Sequence, residues 1–140
     1  MKLLYMLLAD HAFLSIDKKV NIIGIFETIN AAKFPVTHPK FVVVGSMKPS
    51  KSKFNMSVAL YDSDGKPLIG NVNEKEINLP GSSSTKNFNF IIEILNPSFP
   101  RAGEYSVQIN VDGEKVGKHN LRVLEAPKNS GISLSDIKPS

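Results

Sequence analysis

The side chains in this sequence that could do acid–base or metal chemistry are few and far apart. Its histidines, His11, His38 and His119, stand in three unrelated contexts. None has a second histidine at the i+2 or i+4 spacing with which a strand or helix aims two rings at one metal. They read as surface or turn residues. Asp62-Ser63-Asp64-Gly65 begins like a calcium loop, but the twelfth position counted from Asp62 is Asn73, where an EF-hand needs glutamate. Asp62, Asp64 and Asp112 would hold calcium only if their loops converged, and a plain hairpin turn is the simpler reading. Ser82, Ser83 and Ser84 lie in a polar loop without a nucleophile-elbow pattern. Paired carboxylates would have to come from Asp10, Glu27, Glu93 or Glu104. Asp10 ends an apolar run, and a structural aspartate that accepts hydrogen bonds from a following turn explains it equally well. There is no cysteine, which excludes thiol catalysis, disulfides and zinc–thiolate sites. The expectation is a protein that is not an enzyme, with no catalytic residues, no metal ligands and no cofactor.

Charge narrows the partners. The formal net charge is +4, carried by many lysines and by two arginines, Arg101 and Arg122. Specific base and phosphate recognition leans on the arginine fork, so no specific nucleic acid is expected. Between Asn30 and Tyr61 there is no acidic residue, whereas Lys33, Lys40, Lys48, Lys51 and Lys53 all fall there. These five lysines are the candidate ligand-binding set for an anionic small molecule such as a nucleotide or phosphate. The competing reading is a solvated rim around two strands.

The elements that must position such groups are strands. In Phe54-Asn55-Met56-Ser57-Val58-Ala59-Leu60-Tyr61 the apolar residues alternate, and Tyr105 to Val111 and Phe88 to Ile94 repeat the pattern. Period two marks antiparallel strands with one face in the core and one in water. Val20 to Ile29 and Phe41 to Val44 are more continuously apolar and read as central strands, covered on both faces or near a barrel-like edge, with Gly24 marking a bulge or a close contact. Weaker strand signals cover Pro67 to Val72, Lys75 to Leu79 and Lys118 to Leu124. Asp64-Gly65 and Asp112-Gly113 sit between alternating runs, a strong hairpin signal. Ile16-Asp17-Lys18-Lys19 joins the first strand to the second.

A chain of 140 residues with 41% apolar and 21% charged side chains can enclose one core and is too apolar to be disordered. The expected fold is all-β, a two-sheet antiparallel β-sandwich of immunoglobulin-like or Greek-key type with about eight or nine strands. Residues 1–125 form that domain. Residues 126–140, rich in turn formers, form a flexible tail in which Ile132, Leu134 and Ile137 offer a strand to a neighbour. The apolar run Leu3 to Ala9 is too short to span a bilayer. It reads as a first strand ended by Asp10 and His11 rather than as a signal peptide, so a cytoplasmic protein without membrane contact is expected.

Leu7-Leu8-Ala9-Asp10-His11-Ala12, then Asp17 to Phe26 with its Lys19-Val20-Asn21-Ile22-Ile23-Gly24 strand, then Phe34-Pro35 and Pro39, form a layout with a late Gly103-Glu104-Tyr105 strand and an Asp112-Gly113 hairpin. This layout resembles a family of small bacterial and phage-encoded β-sandwich proteins of unknown function over about residues 3 to 124. The resemblance implies the fold and brings no catalytic residues. With chemistry absent, the expected role is a non-catalytic protein-binding or assembly module, acting on a protein partner or by self-association. The alternative is the anionic-ligand binder built on the five lysines.

Overall fold

The two Asp-Gly turns fix the ends of two hairpins. Asp112 and Gly113 have φ of 49° and 83°, the pair of left-handed residues that a two-residue hairpin turn demands. They join β10 (Gly103–Val111) to β11 (Glu114–Glu125). The other turn links β6 (Lys53–Tyr61) to β7 (Pro67–Asn78). There the Asp62 N–H donates to the Lys66 carbonyl at 2.9 Å, and Gly65 takes the left-handed position with φ 81°.

Both turns are tied by aspartate. The Asp62 carboxylate accepts the N–H groups of Asp64 and Lys66, each at 2.9 Å. Asp112 accepts the Asn55 N–H at 2.9 Å and pairs with Lys51. The Lys66 N–H at Asp62 and the Asn55 N–H at Asp112 hold these carboxyls below the ordinary value of 3.8. A lowered folded-state pKa gives stability that is present above the unfolded value and lost as pH falls through the folded one. Thermal midpoints are therefore expected to drop on acidification below about pH 4. Asp62→Asn and Asp112→Asn should each flatten that descent in scanning calorimetry across the acid range.

The structure, a computed structural model, describes residues 1–80 and 86–126, with residues 69–73 described by their backbone alone. Among the described residues it is all strand and turn, without a helix. The remaining strands are β1 (Lys2–Leu14), β2 (Val20–Phe26), β3 (Thr28–Ala31), β4 (Val36–Thr37), β5 (Lys40–Lys48), β8 (Phe88–Leu95) and β9 (Ser98–Phe99). They form a four-stranded sheet in the order β2-β1-β5-β8, a five-stranded sheet in the order β3-β11-β10-β6-β7, and a small β4-β9 ladder.

The eleven strands among the described residues already exceed the eight or nine expected from the sequence. The surplus comes from short pieces, β3, β4 and β9, whose two to four residues are too few to show a period. Nor is the pairing wholly antiparallel, because β3 runs parallel to β11 from Thr28–Arg122 to Ala31–Glu125. The two runs at Pro67–Val72 and Lys75–Leu79 are one strand, β7, whose pairing with β6 shifts register three times. Asp10 and His11 do not end the first strand, which continues to Leu14. Ser82, Ser83 and Ser84 and the tail from 127 onward, with Ile132, Leu134 and Ile137, lie outside the described residues.

One core takes side chains from both larger sheets. Met6 and Leu8 of β1, Phe41, Val43 and Met47 of β5 and Phe90 and Ile94 of β8 meet Phe54, Met56, Val58 and Leu60 of β6 with Tyr105, Val107 and Ile109 of β10. The alternate residues of β5, Val42 and Val44, are buried in a second, smaller cluster with Ala9 and Ala12, against which Val20, Ile22 and Ile91 pack. Burial on both faces is what a continuous apolar run announces, and β5 has it. Tyr105 is buried, stacks edge-on to Phe99 at 5.0 Å, and donates its hydroxyl to the Arg101 carbonyl at 2.6 Å.

Candidate functional site

The strands hold the chemically able side chains apart. His11 lies on β1, His38 between β4 and β5, and His119 on β11 with its Nδ1 2.7 Å from the Asn120 carbonyl. The His38 ring stands 6.1 Å from Phe41 and 6.2 Å from Phe26, an aromatic neighbourhood. Asp112 bonds to Asn55 near the start of β6, while Asp62 follows its end. Seven residues of strand between those points span roughly 23 Å at about 3.3 Å per residue. Asp62 and Asp64 share Arg101, at 3.7 and 3.3 Å. The calcium constellation weighed from the sequence is thus divided between two ends of one strand, with a cation side chain already at each.

Of the candidate carboxylates, Glu27 and Glu104 line one shallow polar cleft with Lys118, His119 and Arg122. Glu104 meets Arg122 Nε at 2.8 Å, and both side chains are more than half exposed. They are directly opposed on β10 and β11, an ordinary cross-strand ion pair on the water face of the sheet. Asp10 is exposed and faces Gly24 of β2, where a Cβ would come within 3.0 Å of its carboxylate atoms.

The five lysines are spread out rather than gathered at one point. Lys40 and Lys48 begin and end β5, a separation of roughly 26 Å at about 3.3 Å per residue. Lys33 lies between β3 and β4, and Lys48 is opposite Lys2 across the β1–β5 ladder. Lys51 pairs with Asp112, and Lys53 meets Glu76 at 3.3 Å. Sequence proximity concentrated these charges, and the antiparallel path of the chain distributes them again.

What the structure gathers is apolar. β2 is an edge strand, with β1 on one side and none of the described strands on the other. Of the two expectations for Val20 to Ile29, the strand covered on both faces is therefore corrected in favour of a position at an edge. Its chain turns from the edge of one sheet at Phe26 to the edge of the other at Thr28. Ile23 and Ile25 are 55% and 59% exposed. Across the ladder they oppose His11 and Ala9, and Phe13, 42% exposed, opposes Asn21. Residues two apart on a strand share a face, so Phe13, His11, Ile23 and Ile25 form one surface, on which the rings of His11 and Phe13 stand 5.7 Å apart. Fully exposed Ile16 caps the hairpin, in a tight loop where the Ser15 N–H donates to Lys19 and Lys18 takes φ 63°. The sequence signal for this surface was present: Val20 to Phe26 has neither charge nor proline, yet the short Ser15–Lys19 turn lays it on the outside of β1.

A second concavity of about 670 Å³ opens between the edges β7 and β8, with Met56, Ile77, Phe88 and Phe90 in its wall. Among the described residues no group of three or more acidic or histidine side chains is placed to hold a metal, and no helix is long and apolar enough to cross a membrane.

The model of the Family of unknown function (DUF6941) matches residues 4–124. The chain belongs to this family. The match runs from Leu4 in β1 to Leu124 in β11, so the DUF6941 unit contains both larger sheets and the hairpin surface. No curated protein matches the sequence. Two solved structures are similar in part. One is the alkylpurine DNA glycosylase AlkC of Pseudomonas fluorescens bound to DNA containing an abasic site analogue, at 12% identity and a TM-score of 0.47 over 69% of this chain. This chain spans 27% of that glycosylase's length. The other is a putative lipoprotein from Bacillus anthracis, at 15% identity and a TM-score of 0.38, covering 82% of this chain and 84% of that one.

Proposed function

We infer that this DUF6941 domain is a two-sheet β-sandwich that works as a non-catalytic protein-binding or assembly module, with the β1–β2 hairpin as its contact surface. The sandwich reading is supported by the main core, which takes side chains from both larger sheets. It is supported also by Tyr105, whose hydroxyl returns to a carbonyl four residues upstream at the start of β10, the tyrosine corner of Greek-key sandwiches. The absence of cysteine fits a reducing, cytoplasmic setting.

The observation that carries the binding reading is the exposure of Ile23 and Ile25 beside Phe13 on an edge strand. Natural sheets guard their edges with charge, proline or cover. An unguarded apolar edge marks a site that another chain occupies. In an extract of its native cell, the wild-type chain should migrate above its monomer mass of 15.4 kDa. The double variant Ile23→Lys, Ile25→Lys should run as a monomer, with an unchanged far-ultraviolet spectrum because both side chains already face water. A wild-type chain that runs as a monomer there would sink the reading.

A further inference from the structure

We propose that the occupant of the β2 edge is a second copy of this chain, paired antiparallel about a twofold axis at Ile23. The proposal rests on the hairpin reading above and names its partner. Its basis is charge placement along one short segment. Lys19 immediately precedes β2 and Glu27 immediately follows it, with seven uncharged residues between.

Two antiparallel copies centred on Ile23 place Lys19 of each against Glu27 of the other. The same register sets Val20 against Phe26, Asn21 against Ile25, and the two Ile23 side chains against each other. Because the contact is isologous, the Lys–Glu pair forms twice. Parallel pairing instead sets Lys19 beside Lys19 and Glu27 beside Glu27, which is repulsive. A slip of one residue turns the apolar set of one copy to the opposite face. A slip that moves the axis to Ile22 sets Lys19 against Ile25 and loses both ion pairs. One register thus satisfies charge and face together.

The local structure permits it. Lys19 is 80% exposed, and its present partner, Asp17 at 3.2 Å, is a surface contact of the kind worth little. Gly24, with φ 73°, is the one irregular point of the strand and offers no side chain to an approaching backbone. Phe13, beside Asn21 on the neighbouring strand, widens the apolar strip on the same face.

The chain contains no cysteine, so Ile23→Cys creates a single thiol. Residues directly opposed in an antiparallel pair have Cα atoms about 4.5–5.5 Å apart, within disulfide reach. The purified full chain should scatter light as a dimer, and Ile23→Cys should form a covalent dimer on mild oxidation. Leu95→Cys, equally exposed but on β8 at the far edge of the same sheet, should cross-link far more slowly. Lys19→Glu and Glu27→Lys should each weaken the dimer, and the double exchange should restore it. A purified chain that stays monomeric while it assembles in extract would overturn the second-copy proposal and leave the hairpin reading standing. Monomers in both settings would end both. A dimer in which Ile23→Cys cross-links no faster than Leu95→Cys would overturn the pairing.

Discussion

Phe41→Ala is expected to lower the unfolding free energy by about 3–5 kcal/mol, the usual cost of deleting a fully buried ring. Phe41 has no accessible surface and meets Phe26 edge-on at 5.7 Å, where the chain crosses between the larger sheets. The control lies one pair along the same ladder. Leu95 opposes Lys40 as Ile94 opposes Phe41, but Leu95 is 61% exposed. Leu95→Ala should change stability by no more than about 0.5 kcal/mol. Urea unfolding measures both. For Phe41→Ala the midpoint should fall with little change in slope, the sign of lost stability rather than an altered unfolded state. Against a typical domain stability of about 5–15 kcal/mol, the loss brings the variant near the margin of folding.

That contrast also marks what the sequence could and could not reveal. β6, β8 and β10 were legible because their alternation is a one-body signal, set by a single strand with one wet and one dry face. The Asp-Gly turns were legible because left-handed backbone at 112 and 113 needs those residue types. Whether an apolar run is interior is a two-body question. Phe41–Val44 and Val20–Phe26 look alike as strings, yet among the described strands β5 lies between β1 and β8 while β2 has β1 alone. Ile23 and Ile25 of β2 therefore stay more than half exposed, whereas Val42 and Val44 of β5 are buried. The spread of the lysine set was hidden for a related reason. Lys40 and Lys48 are close in sequence only until one asks which end of a strand each occupies. The parallel β3–β11 pairing was invisible because four residues carry no period and their partner lies almost a hundred residues on. The hairpin surface was missed because exposure of an apolar strand is a property of sheet order.

Gly45→Ala is the second substitution with a large expected effect, and it tests the packing of β5 from the opposite direction, by adding an atom rather than removing a ring. A Cβ at Gly45 would stand 2.3 Å from Phe90 Cζ and 2.7 Å from the Tyr5 carbonyl oxygen. Phe90 opposes Gly45 on β8, and its buried ring occupies the space that a side chain would need. Overpacking of this kind costs about 1–3 kcal/mol when neighbours can yield. Here one of the two obstacles is the backbone of β1, held in the β1–β5 ladder, so the cost should reach the upper part of that range. The two obstacles can be separated experimentally. In the double variant Gly45→Ala, Phe90→Leu, the ring clash is relieved and the carbonyl clash is not. The pair should therefore couple, the double being more stable than the sum of the single losses implies, but it should not recover wild-type stability. Additive losses in urea unfolding would mean that the Phe90 ring does not rest on Gly45. The glycine then has a reason that turn chemistry does not supply. It leaves room on β5 for the ring of Phe90 from β8, and that ring forms part of the core and of the wall of the groove between β7 and β8.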